Sequence, residues 1–314
     1  MYKQLLEKIL EYDRITIFRH QRPDGDCMFS AYALFCFLKD NFKDKQIRIA
    51  GREEYDLFPY TEDVPDEFIK SSLGIAVDTS TIARVDDKRL ETCDYIIKID
   101  HHPAIENYGD LNYVNDKAGA VGELLTEILF SGIFESYYKS KDVCKYLYCA
   151  ILADTINFRT SSTTANTLKA GALLAEKGDL VISELSDYIL NVSSSTFRKI
   201  TDIRKHLNIS GNFGYIILNN QDLTDIDILA LEAKNHITEI GNIIDLNIWA
   251  FAVESDGKYD CSIRSKKNYR VNDIAMKYSG GGHFNASGVR GLTLEQLTEM
   301  FNELHERSSQ TTQI

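Results

Sequence analysis

The sequence has no basic excess: 35 Lys and Arg stand against 47 Asp and Glu, a net charge of −12. Proteins that grip long nucleic acid draw much of their affinity from basic side chains on phosphates, so long duplex nucleic acid is excluded as a partner. A small anionic ligand is not, because bound divalent cations would reverse the local sign. None of the six cysteines (Cys27, Cys36, Cys93, Cys144, Cys149 and Cys261) belongs to a C-x-x-C pair, and most sit in apolar stretches. Buried free thiols in a reducing cytosol are the expectation, and with them a cytoplasmic location. No stretch approaches the about 18 apolar residues of a membrane span, which excludes a membrane partner; the apolar run 29–38 reads as a buried helix. An unbroken apolar leader is also lacking: MYKQLLEKILEYDR carries an amphipathic helix pattern instead. There is no internal repeat.

What is present is an ordinary globular balance, 44% hydrophobic and 26% charged over 314 residues. Domains usually run to about 100–200 residues, so two are expected. Strand and helix patterns alternate through the first half. ITIFRH (15–20), 46–50, LGIAVD (73–78) and YIIKID (95–100) read as strands; 24–39, 119–130, 141–154 and 164–177 read as helices. Such alternation implies parallel pairing in an α/β sheet. A helical stretch at 187–206 is expected to connect the halves, giving domains 1–186 and 207–314. The second half reads as a strand (213–218), a helix (225–236), a β-rich run (243–253), a turn at Asp256-Gly257 leading into a strand at 259–264, a helix near 271–278 and a last helix at 294–307. The turn is a hairpin signal. The polar tail from Ser308 onward is expected to fray.

Ligands of open α/β sheets bind outside the carboxyl ends of the strands. His20, Asp78 and Asp100 each close an expected strand and so share that edge. His20, Asp24 and Asp26 fall within HQRPDGD, where alternate loop residues can offer two carboxylates to adjacent cations. Taken alone, Asp24-Gly25 reads equally as a turn and Asp26 as an N-cap. In Asp100-His101-His102 one imidazole can take a metal while the other faces substrate, with Asp100 orienting a ring through its other nitrogen. Asp78 and Asp154, each alone, read as a cap or an ion pair. Asp154, however, follows an apolar helix pattern where an isolated charge is costly. Gly280-Gly281-Gly282 lets backbone N–H groups approach an anion, and His283 can add a donor; a flexible hairpin turn is the plainer reading. Arg264 ends a strand, where it can clamp phosphate or lie as a surface charge. Four of the seven histidines fall inside these segments.

Taken in order, these segments resemble the DHH phosphoesterase superfamily, named for the Asp100-His101-His102 run, and the second half resembles its DHHA1 companion domain through Gly280-Gly281-Gly282-His283. The likeness spans nearly the whole chain and is greatest to the nanoRNase and phosphoadenosine-phosphate phosphatase group. It implies an N-terminal domain with a mainly parallel sheet flanked by helices and a smaller C-terminal α/β domain, with the active site in the cleft between them. It implies hydrolysis of very short RNA, of linear dinucleotides such as pApA, and of 3′-phosphoadenosine 5′-phosphate. By that likeness two divalent cations are bound. His20 and Asp24 hold one, Asp26, His101 and Asp154 the other, and Asp78 bridges both; mixed imidazole and carboxylate ligands favour Mn²⁺. His102 faces the scissile phosphate with Asp100 behind it. Arg264, Ser265, the Gly280-Gly281-Gly282-His283 loop and Ser287 hold the far end of the substrate, and Arg159 is a further candidate contact. A homodimer stays open. Two departures stand out: Phe29 and Ile156 occupy positions where the family carries glycine. A pyrophosphatase or exopolyphosphatase on the same motifs, or a nucleotide sensor without catalysis, are the competing readings.

Overall fold

The computed structural model describes residues 2–52, 63–234 and 236–310. Two compact units divide the chain, Met1–Asn191 and Val192–Ile314.

The first unit runs α1 (Lys3–Glu11), β1 (Arg14–Phe18), α2 (Gly25–Asn41), β2 (Gln46–Ile49), α3 (Asp66–Lys70), β3 (Leu73–Val77), β4 (Tyr95–Asp100), β5 (Leu111–Val114), α4 (Val121–Leu129), α5 (Lys141–Thr155), α6 (Ala165–Gly178) and α7 (Ile182–Leu190). Its five strands are all parallel, in the order β2-β1-β3-β4-β5. Side chains alternate across the sheet. Ile15, Ile17, Ile75, Ile97 and Ile99 enter the large core with α1, α2, α4 and α5, whereas Phe18 and Ala76 pack on the opposite face with Ile69, Val85 and Leu90. The chain steps from β1 outward to β2 and returns to β3 on the other side of β1. That reversal opens a crevice beyond the carboxyl ends of β1 and β3, the usual ligand position in such sheets.

The second unit runs α8 (Ser194–Lys205), β6 (Asn208–Ser210), β7 (Phe213–Leu218), α9 (Asn220–Ile226), α10 (Ala230–Lys234), α11 (Ile237–Ile240), β8 (Ile248–Ser255), β9 (Lys258–Ser265), α12 (Asn272–Lys277), β10 (Gly281–His283), β11 (Ala286–Leu292) and α13 (Leu294–Ser308). Its mixed sheet has the order β10-β11-β9-β8-β7-β6, with β7 and β8 parallel and the other pairs antiparallel.

Several expectations need correction. The stretch 187–206 is two helices: Asn191 is extended, and Ser193 caps α8 by accepting from the Thr196 N–H. The helix expected at 225–236 starts earlier, at an Asn219–Asp222 capping box, and stops at Asp227 in left-handed conformation. The β-rich run becomes strand only from Ile248. β5 and β11 were not expected. Ser308 is buried and ends α13, while residues 311–314 lie outside the described residues.

Candidate functional site

Local folding aims the acids of the first unit. Asp24 is the N-cap of α2 and accepts from the Cys27 N–H at 3.1 Å, so the capping reading holds for Asp24 rather than for Asp26. Asp26, in the first turn of the same helix, accepts from the Val121 and Gly122 N–H groups at 2.6 and 3.0 Å and from the Ser30 hydroxyl at 3.0 Å. A carboxylate facing free N–H groups at a helix start is favoured by about 0.3–1 kcal/mol, more when partly buried. Asp78 follows β3 in left-handed conformation (φ 54°), which Asp tolerates better than most residues. Its N–H donates to the Ile99 carbonyl at 2.9 Å.

These groups converge. The His20 Nε2 lies 3.3 Å from Asp78 Oδ2 and 3.7 Å from Asp24 Oδ1. The His101 Nε2 lies 3.5 Å from Asp78 Oδ1, 3.5 Å from Asp154 Oδ2 and 3.8 Å from Asp26 Oδ2. The Nδ1 atoms of the two rings meet backbone carbonyls, Gln21 O at 2.9 Å and Ala118 O at 3.1 Å. A carbonyl only accepts, so each Nδ1 carries a proton and each Nε2 is the ring atom aimed at the acids. His102 is arranged otherwise: its Nδ1–H donates to Asp100 Oδ1 at 2.9 Å. Its side chain is 32% exposed, against 14% for His101 and 3% for His20, so His102 is the most exposed of the three imidazoles. Asp100 is fully buried beside Lys98, whose Nζ is 3.2 Å from Asp100 Oδ2. Lys98 is not among the residues expected from the sequence, where the one sign of it is a lysine inside an apolar strand two residues before Asp100.

The electrostatics report an excess of negative charge. Burial, reinforced by Asp78, raises Asp26 well above the ordinary carboxylate range against the pull of His101. Burial also raises Asp78, although the His20 hydrogen bond opposes it. Asp154 is pushed up to about 6 by burial, with His101 pulling down and Asp78 pushing up. Burial disfavours the charged form of His101, yet Asp26, Asp78 and Asp154 outweigh it and raise it to about 9. His20 is likewise raised: Cys27, Asp24 and Asp78 overcome its burial. Asp24, whose side chain is 60% exposed, is held low by His20 against a partial desolvation, and Asp100 by His102 and Lys98 despite burial.

Ligand atoms of Asp26, His101 and Asp154 lie within 4.8 Å of one another, as do those of His20, Cys27 and Asp78, and those of Asp78, His101 and His102. Two like charges that close repel by about 3–4 kcal/mol at an effective dielectric of about 20. Asp78 Oδ1, buried, accepts no hydrogen bond among the described residues. Carboxylates that repel, imidazole Nε2 atoms aimed among them and an orphaned buried oxygen together fit a divalent cation, which would take the place of the protons that the two rings otherwise hold.

The departures have physical explanations. Phe29 is fully buried and stacks on Tyr146 with ring centroids 6.2 Å apart, so it is a core residue of α2. Ile156, Asn157 and Phe158 form a left-handed turn behind α5, with φ of 47°, 56° and 61°. Thr155 Oγ supports it by accepting from the Phe158 N–H at 3.0 Å. Arg159 is exposed just beyond.

In the second unit, Arg264, Gly280 and Gly281 line a cavity of about 690 Å³ together with Lys234, Ser262 and Arg290. Arg264 is half-buried, and no carboxylate pairs with it among the described residues. The glycine run forms β10 of a hairpin with β11, turning at Phe284-Asn285. His283 is exposed. Ser287 Oγ donates to the His283 carbonyl at 3.0 Å, and Ser265 Oγ donates to the Tyr269 carbonyl at 2.5 Å. Both hydroxyls hold the hairpin and its neighbouring loop.

Comparison with known proteins gives the family of the chain. Residues 14–151 match the DHH family, N-terminal domain, and residues 220–310 match the DHHA1 domain. The chain is 32% identical over 307 residues to a probable bifunctional oligoribonuclease and PAP phosphatase NrnA of Streptococcus mutans, covering 96% of this chain and 97% of that one. It is 32% identical over 293 residues to the bifunctional oligoribonuclease and PAP phosphatase NrnA of Bacillus subtilis, covering 92% and 93%. An exopolyphosphatase-related protein of Bacteroides fragilis superposes with a TM-score of 0.84 at 20% identity, covering 97% and 95%, a likeness of fold. The chain belongs to the DHH family of phosphoesterases, with a DHHA1 domain following the catalytic one.

Proposed function

We propose that this protein is a two-metal phosphoesterase that cleaves short oligoribonucleotides and linear dinucleotides such as pApA to mononucleotides, and 3′-phosphoadenosine 5′-phosphate to AMP. The observation that carries the reading is the convergence of Asp24, Asp26, Asp78 and Asp154 on the Nε2 atoms of His20 and His101. The substrate class follows the relatives, which are named for oligoribonuclease and PAP phosphatase activity.

His20 and Asp24 would hold one cation, Asp26, His101 and Asp154 the other, and Asp78 both. The mixed imidazole and carboxylate set favours Mn²⁺ over Mg²⁺ or Ca²⁺. Bound there, the cations supply an activated water and neutralise phosphoryl oxygens. Asp78 presents two differently placed oxygens, one toward His20 and one toward His101, which suits it to the bridging role. His102 faces the substrate phosphate, its ring fixed by Asp100 through Nδ1. Arg264 and the backbone of Gly280 and Gly281 receive the substrate's far phosphate or base, with Lys234 and Arg290 adding positive charge around the same cavity.

The test is a panel of pApA, 3′-phosphoadenosine 5′-phosphate and pyrophosphate with Mn²⁺ and after EDTA, read as nucleotide or phosphate release. Turnover of the first two with Mn²⁺, lost in EDTA, is expected. Preferential cleavage of pyrophosphate would move the protein to the pyrophosphatase class, and no turnover at all would leave a binding protein.

A further inference from the structure

Lys98 has no part in the chemistry above, yet it is fully buried in the middle of the sheet. Lysine is among the residues least often fully buried, and a buried charge needs a partner. Lys98 and Asp100 are two residues apart on β4 and so share one face, opposite Ile97 and Ile99. The Lys98 ammonium donates to the Ser80 carbonyl at 2.8 Å, in the loop after β3, and to the Glu106 carbonyl at 2.9 Å, in the loop after β4. The Tyr108 ring lies over it with its centroid 5.1 Å away. Its third contact is Asp100 Oδ2 at 3.2 Å. This contact lacks hydrogen-bond alignment, and Asp100 Oδ2 accepts no hydrogen bond among the described residues. The positive charge of Lys98 is therefore what compensates that oxygen. The other oxygen, Oδ1, takes both the side-chain N–H of His102 at 2.9 Å and its backbone N–H at 3.3 Å.

We propose that Lys98 is a positioning residue for His102, acting through Asp100. Its charge fixes the buried carboxylate, and the carboxylate fixes His102, the most exposed of the three site imidazoles. The two carbonyl contacts pin the loops on either side, so the strand end cannot shift to relax the pair. The inference rests on the phosphoesterase reading above. It adds a residue three positions from His101 that touches neither the cation ligands nor the substrate.

The experiment uses the full chain with Mn²⁺ and pApA. Lys98→Met removes the charge and the donors; Lys98→Gln removes the charge but keeps N–H donors for the two carbonyls. Each is made in the unaltered chain and in a His102→Ala background, with thermal melts and Mn²⁺ titrations on all. Partners behind a functional imidazole typically matter by about 10–100-fold, so kcat is expected to fall by about that factor with KM and Mn²⁺ affinity unchanged. In the His102→Ala background the same substitutions are expected to change kcat by less than about twofold, the signature of residues acting as one unit. Equal losses in both backgrounds, an unchanged kcat, or loss of cooperative melting in both variants would each assign Lys98 to the fold alone and overturn the proposal. Failure of the unaltered chain to cleave pApA would instead strike the phosphoesterase reading, and it is seen before any variant is made.

Discussion

The acid cluster of the first unit and the cavity of the second are opposites in charge and construction. The cluster is assembled from side chains at the ends of β1, β3 and β4, the start of α2 and the last turn of α5, with Asp26 and Asp78 buried and Asp24 and Asp154 reaching solvent, and carboxylates outnumber what the fold neutralises. The cavity is wide, with Lys234, Arg264 and Arg290 on its walls and glycine backbone beside them. Lys234 is partnered by Asp260 at 2.7 Å, but no carboxylate answers Arg264 among the described residues. One region is short of positive charge and the other of negative charge. The first therefore calls for cations and the second for an anionic ligand, and the chemistry of each is legible from what it lacks.

The largest effect that could break this contrast is at Asp78. Asp78→Ala removes one carboxylate oxygen beside His20 and one beside His101. Hydrolysis should fall by about 10⁴-fold, the scale seen when a member of a catalytic unit is deleted; near-normal turnover of pApA would dissolve the cluster as a reactive centre. The charge excess should appear next in the stability of the metal-free protein. His101 is raised from its ordinary 6.5 to about 9, so its protonated contacts stabilise fully below 6.5 and are lost as pH climbs through 9. Asp154 is raised from 3.8 to about 6, so ionising it in the fold costs stability that returns as pH falls through 6. Both run the same way: in EDTA the melting temperature should be higher at pH 6 than at pH 9, by on the order of 1–3 kcal/mol in stability. Mn²⁺ should narrow the gap, and an EDTA profile flat between those pH values would remove the excess. The smallest effect is in the second unit. Arg264→Ala should raise KM by about tenfold while changing kcat little, since its contact binds ground and transition states alike. A loss confined to kcat would place Arg264 at the reacting phosphate.

Much of the first unit could be read in advance because its signals are periodic and local. Apolar runs ending in His20, Asp78 and Asp100 place those residues on one edge, and a parallel sheet does collect such ends. The second unit was harder. Asp227 and Ser279 adopt left-handed backbone without being glycine, so no residue type announced where α9 ends or where the glycine hairpin begins. Phe29 is a different case: it stands where the family carries glycine, and only the fold shows that the helix turns that position inward against Tyr146. Lys98 went unread because a single charge in an apolar strand has no period; its partners, two carbonyls and Asp100, are visible only once the loops after β3 and β4 are folded back.

The Nδ1 atoms of His20 and His101 in the acid cluster are steered by the main chain, at the Gln21 and Ala118 carbonyls. No point substitution can delete a peptide oxygen, so those two positions are free to drift while the rings keep their aim. Evolution could therefore rewrite the letters around this centre extensively without retuning it, and a search for compensating changes at residues 21 and 118 would find nothing to count.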